Sequence, residues 1–188
     1  MSNYLPDLNG LIKHIALHNS ENAYEKLFKY LFPSLYRFCF YLLKSRELAE
    51  EAASDVMITI WRNREKLSDV KNVKVYAFVI ARNLSLNIIN KQAKQEWVAI
   101  DDLDMEIILD NLNPEQLLIN GELKKKLERA VETLPAQCKL VFKLIKEDGL
   151  SYKETANILN ISIKTVDAHL VSAIKKLTTV LQAEFNLT

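Results

Sequence analysis

Residues 150–181 read LSYKETANILNISIKTVDAHLVSAIKKLTTVL, and this stretch decides the fold of the C-terminal half. It describes a short helix, a tight turn and a longer helix. Ser151 followed by Glu154 forms a capping box, in which the hydroxyl accepts from a backbone N–H of the first turn and the carboxylate reaches back. Ala156 is small where two helices have to cross. Asn160-Ile161-Ser162 breaks the first helix, and Ser162 is placed to cap the second. This pattern predicts a helix-turn-helix, whose second helix enters a DNA major groove. At about 100° per residue, Val166, Leu170, Ala173, Ile174 and Leu177 fall on one side of that helix. Lys164, Thr165, Ala168, Ser172 and Lys175 fall on the other. The second set is short, polar and basic, which suits phosphate contact and groove entry. An amphipathic surface helix has the same periodicity, so the capped turn carries the DNA-binding reading.

The rest of the chain agrees with an all-α fold. Among 188 residues, 49% are hydrophobic and only 3 are Gly and 4 Pro. That favours helices over a turn-rich β fold. No apolar run approaches the length of a membrane span, and MSNYLPDLNG lacks the basic-then-apolar order of a secretory leader. Cys39 and Cys138 have no paired spacing and read as buried, reduced thiols.

The net charge of +1 hides three blocks. Residues 1–95 carry +5, residues 96–122 carry −8 with no Lys or Arg, and residues 123–188 carry +4. The acidic centre, EWVAIDDLDMEIILDNLNPEQLL, has poor helical periodicity until Pro114 restarts a helix. The expected organisation is a helical domain over 1–95, an acidic linker over 96–113 and a four-helix domain over 114–188.

In the first of these, one helix is expected over Glu21 to about Leu43, with Ala23, Leu27, Tyr30, Leu31, Leu35, Phe38 and Leu42 in three- and four-residue steps and with Pro33 kinking or dividing it. Ser45 is expected to cap a second helix, with Leu48, Ala52, Val56, Ile60 and Leu67 inward. A polar connection, LSDVKNVK, then leads to a third, VYAFVIARNLSLNIINKQAK. From Lys66 to Lys94 there are six basic residues against Asp69 alone, which suits a phosphate track. In the C-terminal domain, one helix should run from Pro114 to about Thr133 and another from Pro135 to about Glu147, ended by Gly149.

The order and wording of these segments resemble the extracytoplasmic-function sigma factors of bacterial RNA polymerase. AYEKLFKYLFPSLYRFCFYLLKSRELAEEAASDVMITIWRNREKL is similar to their region 2, and KNVKVYAFVIARNLSLNIINK to its promoter-melting segment. LERAVETLPAQCKLVFKLIKEDGLSYKETANILNISIKTVDAHL is similar to their region 4. The resemblance covers about four-fifths of the chain and implies a cytoplasmic, non-enzymatic initiation factor without a cofactor or metal. Its implied partners are core polymerase, through clamp helices and flap, promoter DNA, and an anti-sigma factor. No small-molecule substrate or membrane insertion is implied.

Residue by residue, the resemblance places Glu50, Glu51, Ser54 and Asp55 on the clamp-helix surface. It places Lys71, Lys74, Tyr76, Arg82, Asn83 and Lys91 at the −10 element, and Lys164, Thr165, Ala168, Ser172 and Lys175 at the −35 element. The connection from Ser68 to Lys74 corresponds to a loop that pockets a flipped base. Tyr76 and Phe78 stand where the family has aromatics, although an aromatic at helical spacing serves a core equally well. Val79, Asp167 and Ala168 depart from the basic or polar residues common there. The acidic linker suits either the path of nascent RNA or a docked, self-inhibiting segment.

Three other readings remain. A stand-alone helix-turn-helix regulator would bind duplex DNA without polymerase, and a helical adaptor would bind only protein. An enzyme fits least, since no phosphate loop, nucleophile elbow or carboxylate–base pair is present. His14 and His18 lack companion ligands at metal spacing.

Overall fold

The computed structural model describes residues 7–95 and 121–185, and all regular elements among them are helical. The proposed linker, the residues 114–120 expected to begin a helix, and the chain ends lie outside the described residues.

Four α-helices and one 3₁₀ turn form the N-terminal set: α1 (Leu8–His18), α2 (Glu21–Leu43), α3 (Arg46–Arg62), the 3₁₀ turn (Arg64–Asp69) and α4 (Val73–Gln95). Each boundary has a chemical cause. Asp7 Oδ1 accepts from Gly10 N–H at 3.0 Å, Ser20 Oγ from Ala23 N–H at 3.2 Å, and Ser45 Oγ from Leu48 N–H at 3.3 Å. These bonds satisfy amides that a helix N-terminus leaves without intrahelical partners. Asn19 and Lys44 end α1 and α2 in the left-handed region, at φ 49° and 56°. The helix α1 was not expected from sequence.

The core of this set is a mutual packing of α2, α3 and α4, with α1 against α2 and the 3₁₀ turn. From α2 it takes Leu27, Leu31, Leu35, Phe38 and Cys39, and from α3 Ala49, Ala52, Ala53, Val56, Met57 and Ile60. Three alanines among the buried residues of α3 leave room for a close helix approach. Phe38 and Phe78 meet edge to face at 5.1 Å between ring centroids, so Phe78 is a core residue and not part of a base pocket. Burial pushes the Cys39 thiol up to about 11, with the Ser85 hydroxyl acting in the opposite direction. It is an uncharged core group at neutral pH.

Pro33 does not divide α2, which runs unbroken through it. Proline lacks the N–H that would pair one carbonyl a turn earlier, and its ring is on the exposed side.

The second set is α5 (Gly121–Glu132), α6 (Ala136–Lys146), α7 (Tyr152–Leu159) and α8 (Ile163–Phe185). Ala130, Val131, Leu134, Cys138, Ala173 and Leu177 form one buried cluster, flanked by Phe142 and Val180. Gly149, at φ 68°, carries the chain out of α6, and Leu150 N–H returns to Leu144 O at 3.0 Å. Glycine takes that conformation without the Cβ strain that an L side chain meets there.

A charged knot closes the α5–α6 corner. Lys139 Nζ donates to the Glu132 carboxylate at 2.8 Å and to the Glu132 carbonyl at 2.7 Å. Lys143 Nζ lies 3.5 Å from the same carboxylate and 3.6 Å from Glu147. Burial raises the Glu132 pKa, but the two lysines more than offset this and hold it below the usual carboxylate value. The ionised Glu132 therefore stabilises the fold above the unfolded carboxylate pKa, and that contribution is lost as pH falls through the lower, folded value. Glu132→Gln should destabilise the protein by about 1–3 kcal/mol at pH 7, since it leaves buried Lys139 without its counter-charge. In urea titrations followed by circular dichroism, the gap to wild type should close in acid. A gap that stays constant with pH would contradict the ion-pair account.

Candidate promoter and polymerase interfaces

The helix-turn-helix is built by its caps. Ser151 Oγ accepts from Glu154 N–H at 3.2 Å, while Glu154 Oε2 accepts from Ser151 N–H at 2.8 Å and from the Ser151 hydroxyl at 2.7 Å. This is the reciprocal box read in the sequence. Asn160 turns the chain at φ 55°, a conformation Asn tolerates better than most residues. Ser162 then starts α8, its Oγ accepting from Thr165 N–H at 3.0 Å.

That cap corrects one expectation. Thr165 is half-buried, and its hydroxyl is 2.7 Å from Ser162 Oγ, so it holds the turn instead of lying free on the groove face. Lys164, Ala168, Ser172 and Lys175 are exposed as expected. Ile174 is not inward: it is 44% exposed, with Val171 at 57% and Ile163 at 50%. Among the described side chains of α8, Val166, Leu170, Ala173 and Leu177 are buried, and they span an arc of only about 60° at 100° per residue. Ile174 falls just beyond that arc. An exposed apolar edge therefore borders the basic-polar face of α8, beside Asp167. On the opposite flank, His169 Nδ1 lies 3.7 Å from Cys138 Sγ.

On α3, Glu50, Glu51 and Asp55 are exposed and Ser54 is half-buried. None of the three acids bends inward to a core partner. At their centre, by helical angle, stands Ile58, 44% exposed. The sequence reading left Ile58 unassigned, since it lies outside the inward set Leu48, Ala52, Val56 and Ile60. An exposed isoleucine one turn beyond Asp55, in line with the acids, gives this face an apolar element beside its charges.

The six residues assigned to the −10 element do not share one face. Lys71 is exposed in the short gap 70–72, and Lys74 is half-buried in the first turn of α4. The expected eight-residue polar connection is mostly helical: Ser68 and Asp69 end the 3₁₀ turn, and α4 begins at Val73 instead of Val75. Asn72 causes the early start, its Oδ1 accepting from Val75 N–H at 3.1 Å. Tyr76 and Asn83, seven residues apart, lie on one outward face, with Tyr76 half-buried and Asn83 exposed. Arg82 Nη1 donates to Asn83 Oδ1 at 3.3 Å, which leaves the amide hydrogens of Asn83 for another partner. Lys91 stands on the flank opposite Arg82. It shares a groove of about 460 Å³ with Glu51 and Asp55 of α3 and with Leu84, Asn87, Ile88 and Asn90 of α4. One assigned DNA contact thus lies beside two assigned polymerase contacts.

His14 and His18 are exposed, with ring centroids 5.7 Å apart. No group of three or more His, Cys, Asp or Glu among the described residues could hold a metal. No described helix is long and apolar enough to cross a membrane.

Two protein-family models match the sequence: Sigma-70 region 2 over residues 27–95 and Sigma-70 region 4 over residues 124–177. The matches coincide with α2–α4 and with α5–α8, up to the middle of α8. The fold and the capped DNA-facing helix therefore define a sigma factor. Within that class, the chain belongs to the extracytoplasmic-function group, which directs promoter-specific initiation and is a family of transcription factors, not of enzymes. It is 27% identical to the extracytoplasmic-function sigma factor SigW of Bacillus subtilis over 139 residues, covering 70% of this chain and 74% of that protein. It is 23% identical to SigX of the same organism over 164 residues, covering 83% and 84%. In fold, it is similar to the sigma factor RpoE of Bartonella quintana, solved with the anti-sigma factor NepR. That likeness has a TM-score of 0.59 at 20% identity and covers 84% of this chain and 96% of that one.

Ser162→Ala should cost about 1 kcal/mol by freeing the first amides of α8, while Ser162→Asp should retain most of the stability. Urea titration measures both, and equal stability for the alanine and wild-type proteins would remove the cap from this account.

Proposed function

We propose that the acidic face of α3, with Glu50, Glu51, Ser54 and Asp55 and with Ile58 in line with them, docks on the clamp helices of core RNA polymerase. In this reading α4 faces the −10 element and α8 reads the −35 duplex. The observation that carries it is the pairing of two outward faces of opposite chemistry, an acidic stretch with an exposed isoleucine on α3 and Lys164–Ser172–Lys175 on α8. A stand-alone DNA-binding regulator needs only the second.

On α4, Asn83 and Tyr76 suit splayed bases, because a carboxamide both donates and accepts and a half-exposed ring stacks. Lys71 and Lys74 supply phosphate contacts beside the short gap at 70–72. Lys91 belongs with the α3–α4 groove and bridges the polymerase and DNA surfaces. Ala168 adds no charge and leaves room for close approach to a base edge.

The domain limits 1–95 and 114–188, with an acidic linker between them, are part of this reading. So is a cytoplasmic location, where polymerase and promoters are found. We also take an anti-sigma factor as a partner. Support comes from RpoE, which was solved with one, and from the exposed apolar edge Ile163–Val171–Ile174, which offers such a protein a surface.

Reversing charge at Glu51 and Asp55 together should weaken core-polymerase affinity at least tenfold, by about 1.4 kcal/mol or more. The fold should be unaffected, since exposed acids change sign at small cost. Unchanged affinity in a pull-down titration would displace the docking face from α3. Lys175→Ala should lower the salt slope of −35 duplex binding by about one unit if it neutralises one phosphate. An unaltered slope would take Lys175 out of the interface.

A further inference from the structure

We propose that α1 is the positioning element for the −10 specificity loop, acting through a bond between Asn19 and Arg64. The proposal rests on the reading above that the connection from Ser68 to Lys74 contacts a promoter base. The Sigma-70 region 2 match begins at residue 27, so α1 lies outside the part of the chain that the family match describes.

The geometry is specific. α1 packs on the 3₁₀ turn as well as on α2. It contributes two buried residues, Ile12 and Ile15, and the turn contributes Leu67. Arg64, the first residue of that turn, joins α1 to α3 directly and reaches α2 through Trp61. Its Nε donates to Asn19 Oδ1 at the end of α1. Its Nη1 donates to Trp61 O in the last turn of α3 at 3.1 Å, and its guanidinium lies 4.8 Å from the Trp61 ring centroid. Trp61 in turn packs at 4.8 Å on Tyr24 of α2, whose hydroxyl donates to Met57 O at 2.8 Å. A planar guanidinium with donors at fixed angles can hold such an arrangement, and a lysine ammonium cannot.

Asn19 serves twice. Its backbone, in the left-handed region, caps α1 by donating to His14 O and Ile15 O. Its side chain accepts from Arg64. Five residues after Arg64 the 3₁₀ turn ends, and only Val70–Asn72 separate it from α4. Asn72 fixes the far side through its bond from Val75 N–H. The loop is therefore held at both ends, downstream by the α4 cap and upstream by a short turn whose direction Asn19 and Arg64 set. A small rotation of that turn moves every atom of a three-residue gap, and a base pocket does not tolerate misplacement by an ångström.

Asn19→Gly separates the two roles, because glycine keeps the left-handed backbone and removes the acceptor. Asn19→Asp keeps both and serves as the conservative control. The full-length variants, assembled with core polymerase, are assayed on a randomised −10 and −35 promoter library. A loop graft replacing residues 68–74 is assayed in parallel. Asn19→Gly should relax preference about threefold, the loss expected of one hydrogen bond, at the −10 base that the graft also shifts. The −35 preference and core affinity should stay at wild type, and Asn19→Asp should retain full selectivity. If the graft shifts the −10 base and Asn19→Gly does not, the positioning role is wrong and the loop reading stands. If neither shifts it, the loop reading falls and this inference with it. An equal loss of −35 preference in Asn19→Gly would mean general destabilisation and would also overturn the proposal. Arg64→Gln, which leaves the α1 cap untouched, supplies the same comparison should Asn19→Gly fail to fold.

Discussion

The described residues form eight α-helices in a chain with only three glycines, so those helices have to stop and restart through side-chain chemistry, and this architecture depends on that constraint. A helix N-terminus exposes amides without intrahelical partners. Here Asp7, Ser20, Ser45, Asn72, Ser151 and Ser162 accept from them. At the other ends, Asn19, Lys44 and Asn160 adopt a left-handed conformation that reverses the chain within one or two residues. Where a helix begins fixes which of its residues point outward, since each residue of displacement rotates the face by about 100°. The caps thus decide that Lys164 and Ser172 face solvent, and that Glu51 and Asp55 line one groove with Lys91.

What is legible in the sequence follows from the same constraint. Serine before an amphipathic run is a local signal, so α2, α3, α7 and α8 start where the pattern places them. The capping box at Ser151 and Glu154 forms as read. Asn72 was harder, because an asparagine between two lysines and two valines looks like loop, yet its Oδ1 starts α4 two residues early. The 3₁₀ turn has no periodicity of its own and is held by Leu67, by α1 and by Arg64. Helix α1 was missed because the sequence reading assigned no element ahead of Glu21. In the fold, Gly10 is a first-turn residue capped by Asp7. Ile174 was misplaced for another reason. Helix α8 packs mainly on α6 and α5, which bury a narrower strip than a helix enclosed on more sides would have.

The candidate interfaces show where a linear reading ends. Two oppositely charged faces, acid on α3 and basic-polar on α8, could be assigned from composition and resemblance. Their detail could not. That Ile58 is exposed in line with the acids, and that Lys91 joins that side instead of the face of Tyr76 and Asn83, are consequences of how α3 and α4 pack. The resemblance to extracytoplasmic-function sigma factors named the parts. The packing adds a helix ahead of the family match, and that helix rests on the 3₁₀ turn between α3 and α4.

The most direct test of the central claim is run-off transcription with purified bacterial core polymerase on a randomised promoter library, with and without this protein. The account predicts transcripts from discrete start sites only when both are present, with enriched motifs near −10 and −35 and weak duplex binding by the protein alone. Tight sequence-specific binding of duplex DNA by the isolated protein, with no start sites gained when core polymerase is added, would contradict it.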